Sequence, residues 1–401
     1  MKRSRLFAIL VAAAVVVAAF ATGCSSGESN TAEKKETVKL GFIGPITGAD
    51  AAEGAAARNA FLMAVDAAND SGEYPYNIEV EVIDDAATAS TGAAGAQQLV
   101  ADPDIVAVSG HWNSPVAEAT IPIFKQANIP LLIWGAIKDG LTSEENYPYI
   151  TRSAPTAAQE NQPLAEKTMG QGGLDYKKWF IVSDVSSYGE ANTIEFTNKI
   201  KEFDGELVGT EKVQTGTVDF RSVISKIKTS DADAVYYGGV VTEASLLKNQ
   251  LHEEGLDNLL FAGISGVCSE DFLKIGAEAS EGALSVKPGV DPAKSSEGEV
   301  FLAAYAEKGY TEPVGAFTPY AYEAAVILLN ALKECGDTPT AEAMVNAIKD
   351  SKTTGIMGTT TFDEIGQTEN VAAYLLIVQD GEWVPYDDSE YAAGIRTLPG
   401  K

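Results

Sequence analysis

Short apolar runs alternate along the chain with longer stretches in which apolar residues recur every three or four positions. Six runs of strand type are VKLGFIG, IEVEVID, IVAVSG, IPLLIWG, KKWFIVSD and ADAVYYGG. Each is followed by a stretch of helical periodicity, and strands that alternate with helices are typical of parallel sheets covered by helices on both faces. The pattern therefore predicts an α/β fold built from repeated strand, loop and helix units.

The stretch after the first run illustrates the helix prediction. From Ala55 onward, in AAARNAFLMAVDAANDSG, the apolar residues fall broadly along one helical face, and Gly72 stands beyond the end as a stop signal. In open α/β sheets, ligands bind beside the carboxyl ends of the strands, where helix N-termini present free N–H groups. The loop GHWNSPV at residues 110–116 follows such a strand, so we expect it on the ligand-binding side of its sheet.

The N-terminal residues have the pattern of a secretory signal. Three basic residues precede an apolar run, Leu6–Phe20, that is too short for a spanning helix. Cys24, in ATGCSSG, resembles the lipidated cysteine of a bacterial lipoprotein, with a polar segment of tether composition after it. Residues 1–23 are therefore predicted to be a signal peptide, Cys24 a lipid anchor and residues 24–37 a flexible tether. The alternative is an ordinary cleaved signal with a chance cysteine.

The chain is strongly acidic, with 57 Asp and Glu residues, 29 Lys and Arg residues and a net charge of −28 at pH 7. Nucleic acids and anionic lipid surfaces are poor partners for a field of this sign. Solubility outside the cell also explains the acidity, so the charge alone does not choose a ligand. About 365 residues follow the tether, which is enough for two domains.

Motifs of an enzyme or a metal site are weak. His111 and Ser114 are the one local pair that suggests a hydrolase, but no GxSxG turn surrounds a serine, and we expect His111 to be structural. The Gly-rich pieces lack both nucleotide-binding fingerprints. Asp84 and Asp85 could be metal ligands or an acid/base pair, but DDAATASTG is more simply a strand end followed by a helix start. The sequence predicts no catalytic residue, metal or cofactor.

Two cysteines, Cys268 and Cys335, follow Cys24 and are far apart in the chain. Neither belongs to a CxxC spacing, and the two histidines are not close to them in sequence. A disulfide between them is permitted in an oxidising compartment. We expect two separate thiols.

Seven pieces of the chain occur in the order found in a known family, and none is diagnostic alone. They are GFIGPITGADAAEG, VIDDAAT, GHWNSP, SSYGEA, DFRSVISKIKTSDADAVYYGG, EGALSVKP and GIMGTTTFDEIG. From about Val38 to Tyr386 the chain resembles the type I periplasmic binding proteins that deliver leucine, isoleucine and valine to ABC transporters.

The resemblance implies two discontinuous α/β lobes, each a mostly parallel sheet with helices on both faces, and a ligand in the cleft between them. The N-lobe is expected to comprise residues 38–153 and 288–356, and the C-lobe residues 154–287 and 357–395. Three hinge crossovers are expected near residues 152–155, 286–289 and 355–358. Lobes of this kind close around a ligand, and the transporter recognises the closed shape.

The resemblance also implies ligand-binding residues on the loops at the strand ends. Ser114 matches a serine that donates hydrogen bonds to the ligand carboxylate, Ala136 and Ile137 fall on the equivalent next loop, and Tyr188 matches a tyrosine of the second lobe. Hydroxyl and backbone donors at a helix N-terminus suit a carboxylate. The complete candidate set is Glu53, Trp112, Asn113, Ser114, Gly135, Ala136, Ile137, Tyr188, Val240 and Ser265.

Four positions depart from the family pattern. Ser265, in GISGV, stands where amino-acid binders commonly carry an acid for the ligand ammonium, and Glu53 could supply that charge from the N-lobe or be a solvated loop residue. Trp112 and Trp134 stand where the family has smaller residues. Each could fill the pocket, stack on a flat ligand, clamp a cation or pack in the core.

The function expected from these observations is that of a lipid-anchored, extracytoplasmic, monomeric solute-binding protein. It would catch an amino acid or a related small polar solute and deliver it to an ABC permease with its ATPase. A ligand sensor for a signalling partner is a second hypothesis, and a surface hydrolase that uses His111 and Ser114 is a third. The sequence predicts no nucleic-acid partner.

Overall fold

The computed structural model describes residues 35–48, 50–370 and 373–401. The predicted signal peptide at residues 1–23, the predicted lipid anchor at Cys24 and nearly all of the predicted tether lie outside the described residues and stay predictions. Among the helices that are described, none combines the length and the apolar character needed to cross a membrane.

Sheet A has five strands, and every neighbouring pair in it is parallel. Two of its strands, Ile105–Ser109 and Leu131–Ile133, are buried at every residue, as expected for a sheet that is covered on both faces. In spatial order the strands are β2 (Asn77–Asp84), β1 (Thr37–Gly44), β3 (Ile105–Ser109), β4 (Leu131–Ile133) and β5 (Ile150–Arg152).

Sheet B has seven strands and is mixed. Five neighbouring strands run parallel to one another. Two strands from late in the chain extend one edge of the sheet through antiparallel pairs. In spatial order the strands are β14 (Glu382–Pro385), β13 (Ala373–Gln379), β10 (Leu284–Pro288), β9 (Leu260–Gly263), β8 (Ala234–Gly238), β6 (Lys178–Asp184) and β7 (Glu206–Val213). A separate antiparallel hairpin joins β11 (Thr353–Gly355) to β12 (Gly358–Thr360).

Helices connect most of the strands and cover the sheets. They are α1 (Ala51–Ser71), α2 (Ala89–Ala101), α3 (Ser114–Ala127), α4 (Ala157–Met169), α5 (Ser187–Glu202), α6 (Arg221–Lys228), α7 (Val241–Glu253), α8 (Glu270–Gly276), α9 (Ser296–Glu307), α10 (Thr318–Cys335) and α11 (Ala341–Lys349). In sheet A, α1 pairs with α10 and α2 with α3; in sheet B, α4 pairs with α5 and α7 with α8. Helices therefore cover both faces of both sheets, which confirms the predicted α/β class.

The chain passes between the sheets more than once. Sheet A takes its strands from the first part of the chain, and β6 to β10 then belong to sheet B. Next, α10 and α11 pack against β3 of sheet A, and the chain returns to sheet B for β13 and β14. The two lobes are thus discontinuous in sequence, although the residue boundaries given for them above stay predictions.

All six predicted apolar runs contain a strand: β1, β2, β3, β4, β6 and β8. The first predicted helix is α1, which begins four residues before Ala55 and ends at Ser71. Gly72 follows it with φ +69°, the left-handed conformation that makes glycine a helix stop.

Trp134 packs in the core and not in a ligand pocket. Its side chain has no exposed surface and stacks on Phe42, with ring centroids 5.8 Å apart and an angle of 15° between the ring planes. The ring also lies against Gly44 of β1, where a Cβ would meet a Trp134 ring carbon at 3.2 Å. Of the alternatives that the sequence left open for Trp134, the structure gives core packing.

Candidate ligand-binding cleft

A cavity of about 460 Å³ lies between the carboxyl ends of sheets A and B. Sheet A contributes the loops after β1, β2, β3 and β4, and sheet B contributes the loops after β6, β7, β8 and β9. Phe317, directly before α10, also lines it. Every loop that lines the cavity from either sheet thus follows the carboxyl end of a strand, as expected for ligand sites in open α/β sheets.

Seven of the ten candidate residues line this cavity. Sheet A presents Trp112, Asn113, Ser114 and Gly135. Sheet B presents Tyr188, Val240 and Ser265. Candidates that are more than 70 positions apart in the sequence are therefore brought together at one cleft.

Ala136 and Ile137 lie behind the cavity and do not line it. Both side chains are buried in apolar clusters, and the Ala136 N–H donates to the His111 carbonyl over 2.8 Å. That N–H is therefore already paired. Gly135 is the member of this loop that reaches the cavity, and a Cβ there would meet the Trp112 Cα at 3.1 Å.

Glu53 points to a different cavity of about 320 Å³, which Lys287 and Cys268 also line. Its carboxyl lies against Gly315, where a Cβ would come within 2.5 Å of all three carboxyl atoms. Burial raises the pKa of Glu53, and the nearby Lys287 ammonium partly opposes that rise. Glu53, which the sequence left open as an acid of the cleft or a solvated loop residue, thus lines this second cavity from the first turn of α1 and does not line the cleft.

Ser114 is the first residue of α3 and is fully buried at the cavity wall. Its Oγ accepts a hydrogen bond from the Lys138 N–H over 3.3 Å, which leaves the hydroxyl hydrogen to donate. Asn113 before it does not cap the helix with its side chain, and residue Pro115 after it has no N–H. This helix N-terminus therefore offers a hydroxyl donor and the positive end of a helix dipole to an anionic group.

His111 is held in the interior by two side chains. Its Nδ1 lies 3.3 Å from the Asp85 carboxylate and its Nε2 lies 2.7 Å from the Thr120 hydroxyl. Both ring nitrogens are thus engaged away from Ser114, so the pair lacks the base-to-nucleophile contact that a hydrolase needs. The structural interpretation of His111 fits this geometry.

Asp84 and Asp85 shape the loop after β2. Oδ1 of Asp84 accepts the Ala86 N–H and Oδ1 of Asp85 accepts the Ala87 N–H, each over 2.9 Å. These bonds hold Ala86 and Ala87 at φ +48° and +56°, in the left-handed region, at the cavity wall. The two adjacent carboxylates thus lie at the end of β2 and stabilise the strained turn that follows it. Helix α2 begins shortly after that turn.

Tyr188 joins two loops of sheet B. It is the second residue of α5, and its hydroxyl oxygen accepts the Gly266 N–H over 3.1 Å. A Cβ at Gly266 would come within 2.4 Å of that oxygen, so the contact requires glycine there. The Tyr188 hydroxyl also lies beside the Ser265 side chain, which lines the same cavity.

Three carboxylates that the sequence interpretation did not select also line the cavity. Asp50 precedes α1, Asp184 is the last residue of β6, and Glu243 lies in the first turn of α7. Asp184 and Glu243 are only 3% and 4% exposed. Their common position at the carboxyl end of a strand or the following helix start was a signal that could have identified them.

Neutral donors orient these three carboxylates. Asp50 Oδ2 accepts from the Asn113 side-chain amide over 2.8 Å, and Glu243 Oε1 accepts from the Gly216 N–H over 2.6 Å. Oδ1 of Asp184 accepts from the Ser186 N–H over 2.8 Å and from the Ser186 hydroxyl. Burial raises the pKa of both Asp50 and Asp184, which shows that these bonds do not compensate the loss of water.

The charge of the cavity wall has one sign. Among the described residues that line it there is no lysine, arginine or histidine. No group of three or more His, Cys, Asp and Glu side chains in the described parts of the chain is arranged to hold a metal ion. The wall can therefore receive an organic cation at its carboxylates and an anionic group at the start of α3.

Two lobes whose strand ends face one cleft, with hydroxyl donors and carboxylates in its wall, define a two-lobed solute-binding protein. A family model described as periplasmic binding protein matches residues 37–382, and the chain belongs to that family. This confirms the family predicted from the seven sequence pieces.

The matches to named relatives cover most of both chains. The leucine-, isoleucine-, valine-, threonine- and alanine-binding protein of Pseudomonas aeruginosa is 27% identical over 355 residues, which cover 88% of this chain and 92% of that protein. The Leu/Ile/Val-binding protein BraC3 of Rhizobium johnstonii is 28% identical over 82% of this chain and 88% of that protein.

Solved structures share the fold. The branched-chain amino acid transporter substrate binding protein LivJ of Streptococcus pneumoniae, in complex with isoleucine, has a TM-score of 0.79 and 25% identity over 87% of this chain and 98% of that chain. A solute binding protein of an ABC transporter from R. palustris, in complex with 4-hydroxybenzoate, has a TM-score of 0.77 and 23% identity over 87% of this chain and 95% of that chain.

Proposed function

We propose that this protein is the solute-binding component of an ABC importer and that its ligand is an amino acid. The observation that carries the proposal is the polarity of the cleft. A buried serine hydroxyl at a helix N-terminus and three carboxylates line the same cavity of about 460 Å³. An α-amino acid carries one anionic and one cationic group, and both find complementary partners in this wall.

The carboxylate end of the ligand lies at the start of α3. Ser114 Oγ donates its hydroxyl hydrogen to the ligand, since it already accepts from the Lys138 N–H. A hydrogen bond from a neutral donor to a charged acceptor contributes about 1.5–3 kcal/mol when it is well formed. Asn113, Gly135 and Trp112 flank this end of the cavity.

The ammonium end lies among Asp50, Asp184 and Glu243. In the family, an acid at the position of Ser265 commonly binds the ligand ammonium, and this chain has only a hydroxyl there. The three acids of the cleft take that role. A neutral hydroxyl cannot replace the charge of a carboxylate, whereas the three acids can. The relatives named for leucine, isoleucine and valine support an amino acid as the ligand class.

Delivery follows from closure of the lobes around the ligand. The N-lobe of residues 38–153 and 288–356 and the C-lobe of residues 154–287 and 357–395 move about the three crossovers, and the permease recognises the closed form. The protein acts as a monomer outside the cytoplasmic membrane, held by lipid on Cys24 after removal of residues 1–23.

Isothermal titration calorimetry of the purified full chain against the twenty standard amino acids tests the proposal. Tight, saturable one-to-one binding of at least one of them is expected. An accompanying thermal-shift measurement should show a stabilisation of about 2.7 kcal/mol when the free ligand is at 100 times its dissociation constant. The absence of binding to all twenty contradicts the proposed function.

A further inference from the structure

The three carboxylates of the cleft are fixed in place before any ligand arrives. They come from three different loops, and each is held by a neutral donor: Asp50 by Asn113, Asp184 by Ser186 and Glu243 by Gly216. In each case only one carboxylate oxygen receives these bonds. The second oxygen of each has no hydrogen-bond partner among the described residues.

None of the three forms an ion pair within the described part of the chain, and no basic side chain lines the cavity there. Asp184 and Glu243 are nevertheless more than nine-tenths buried. A buried carboxylate without a counter-charge is costly, because the interior does not replace the water that it loses. These side chains thus keep unpartnered acceptors at the wall of a cavity large enough for a small solute.

One ammonium group does not satisfy this wall. The charges of Glu243 and Asp184 both contribute to raising the pKa of Asp50, so each of them repels the Asp50 carboxylate. One ammonium carries a single positive charge against the three carboxyl groups of this wall, so it cannot neutralise all three when they are ionised. A metal ion is not the missing cation, since the described acids are not grouped closely enough to ligate one.

We infer that the ligand is an amino acid whose side chain carries a second cationic group, so that its net charge is positive. The inference rests on the proposed function, because it keeps the α-carboxylate at Ser114 and the α-ammonium at one of the acids. The side-chain cation pairs with the remaining carboxylates. A neutral amino acid of the same length would leave those carboxylates buried and unpaired.

The aromatic lining suits such a ligand. Trp112, Tyr188 and Phe317 all line the same cavity as the three acids. Aromatic faces attract cations and pack against the methylene groups of a long side chain. The wall therefore combines the apolar and anionic partners that a flexible chain ending in a cation requires.

L-lysine and L-norleucine form a matched pair of probes, because both side chains have the same unbranched run of four carbons and only that of lysine carries a terminal ammonium. Calorimetry of the full chain at pH 7.5 and fixed ionic strength should give a dissociation constant for L-lysine at least tenfold lower than that for L-norleucine. L-leucine should bind no better than L-norleucine.

Two variants link the preference to the named residues. Asp184→Asn and Glu243→Gln keep an oxygen that accepts the existing hydrogen bonds from Ser186 and Gly216 but remove the charge. Both variants can weaken both ligands through the α-ammonium, so the readout is the ratio of the two dissociation constants: in at least one variant the preference for L-lysine over L-norleucine should fall by more than about threefold. Glu206→Gln is the matched control. Glu206 is exposed at the opposite end of β7, so the same charge change there should alter neither affinity more than twofold.

The outcomes separate the two claims. Equal or tighter binding of L-norleucine or L-leucine overturns the inference and leaves the proposed function standing. An unchanged preference for L-lysine in both variants also overturns it, since the named carboxylates would not be the cause. If no amino acid binds, the proposed function fails and the inference falls with it.

Discussion

The Ser265 hydroxyl donates a hydrogen bond to Oε2 of Glu160 over 2.5 Å. Glu160 belongs to α4 and has no exposed surface, and its other carboxylate oxygen has no partner among the described residues. Burial raises the pKa of Glu160 to about 8, although Ser265 and the nearby Arg152 favour the charged form. An acid thus stands directly behind the one position where the sequence offers only a hydroxyl, and it holds its proton at neutral pH.

This pKa predicts a loss of stability as the pH rises. Glu160 has an ordinary pKa of 4.5 and a pKa of about 8 in the folded protein, so the folded state retains a proton that the unfolded chain releases. Its contribution to stability is fully present below pH 4.5 and is lost as the pH rises through 8. Urea unfolding of the full chain and of Glu160→Gln at several pH values between 4.5 and 8.5 measures the effect.

The variant should lose that part of the pH dependence, on the order of a few kcal/mol. Glu323 provides an internal comparison, because burial raises its pKa to about 7. Its contribution to stability is therefore lost at a lower pH than that of Glu160. Glu323→Gln should reduce the pH dependence of the free energy of unfolding below pH 7 and leave its change near pH 8 unaltered. Identical profiles for wild type and Glu160→Gln contradict the prediction.

The fold was accessible from the sequence because several of its strands, such as β3, β6 and β8, are buried at nearly every residue. Runs such as KKWFIVSD stand out as continuously apolar, and β6 forms there. The antiparallel edge was less accessible: β14 is partly exposed, with the sequence EWVP, and lacks a long apolar run. Its place is decided by pairing with β13 across a short turn, which is a tertiary contact.

The cleft was only partly accessible. Ser114 and Tyr188 could be found because they lie in loops with recognisable sequence pieces. Glu53 was the wrong acid because the cleft takes Asp50, the residue before α1, whereas Glu53 in the first turn lines another cavity, and the sequence does not show which of the two faces the cleft. The positions of Asp184 and Glu243 at a strand end and a helix start were a local signal for each, but which acids of distant loops converge is a property of the assembled sheets.

Ser114→Ala should weaken amino-acid binding by tenfold or more. The variant removes a hydroxyl donor to a charged carboxylate, which contributes about 1.5–3 kcal/mol. It also removes the acceptor of the Lys138 N–H, at a cost in stability of about 1 kcal/mol. Calorimetry gives the affinity and thermal unfolding gives the stability.

Ser109→Ala is the control for that variant. Ser109 is a buried serine at the end of β3, and its hydroxyl donates to the Leu132 carbonyl outside the cavity. It should reduce stability by a similar small amount without changing affinity. Unchanged affinity in Ser114→Ala rules out the carboxylate assignment.

Binding of a cationic amino acid should weaken as the pH falls. In the free protein the pKa of Asp50 is raised, first by burial and then by repulsion from Glu243, Asp85 and Asp184, against a hydrogen bond from Asn113. A bound cation favours the charged carboxylate and lowers that pKa, so binding releases a proton in the acidic range above 3.8.

Calorimetry at pH 5 in two buffers of different ionisation enthalpy measures the released proton directly. The apparent binding enthalpy should differ between the buffers at pH 5 and agree at pH 8. Asp50→Asn, in which the position no longer titrates, should reduce the difference. Proton uptake at pH 5 in place of release contradicts the assigned role.

The two cysteines of the described structure should react as separate thiols of unequal rate. Cys268 is buried, and burial raises its pKa to about 12, so little thiolate forms at neutral pH. Cys335 is half-buried at the end of α10, with Sγ 3.7 Å from the Met344 Sδ. Alkylation of the native full chain, read by peptide mass spectrometry, should label Cys335 first. Failure of both to react in denaturant without reductant would reveal a disulfide.

Arg152→Met should both destabilise the protein and weaken binding. The buried guanidinium donates from one nitrogen to the Ala136 and Lys138 carbonyls, over 3.1 and 2.7 Å, and from Nε to Gln367 over 2.6 Å. Methionine fills similar volume but leaves these buried acceptors unpaired, at a cost of about 3 kcal/mol or more.

The effect on binding follows from the loop that Arg152 holds. Lys138 donates its N–H to the Ser114 Oγ, so a displaced loop misorients the hydroxyl that meets the ligand carboxylate. Arg221→Met is the matched control, because Arg221 is exposed and paired with Asp219 on the surface, where the change should stay within about 0.5 kcal/mol. Denaturant unfolding and calorimetry of both variants separate the two effects. A destabilised Arg152→Met protein with wild-type affinity would show that the loop does not depend on the guanidinium for its position.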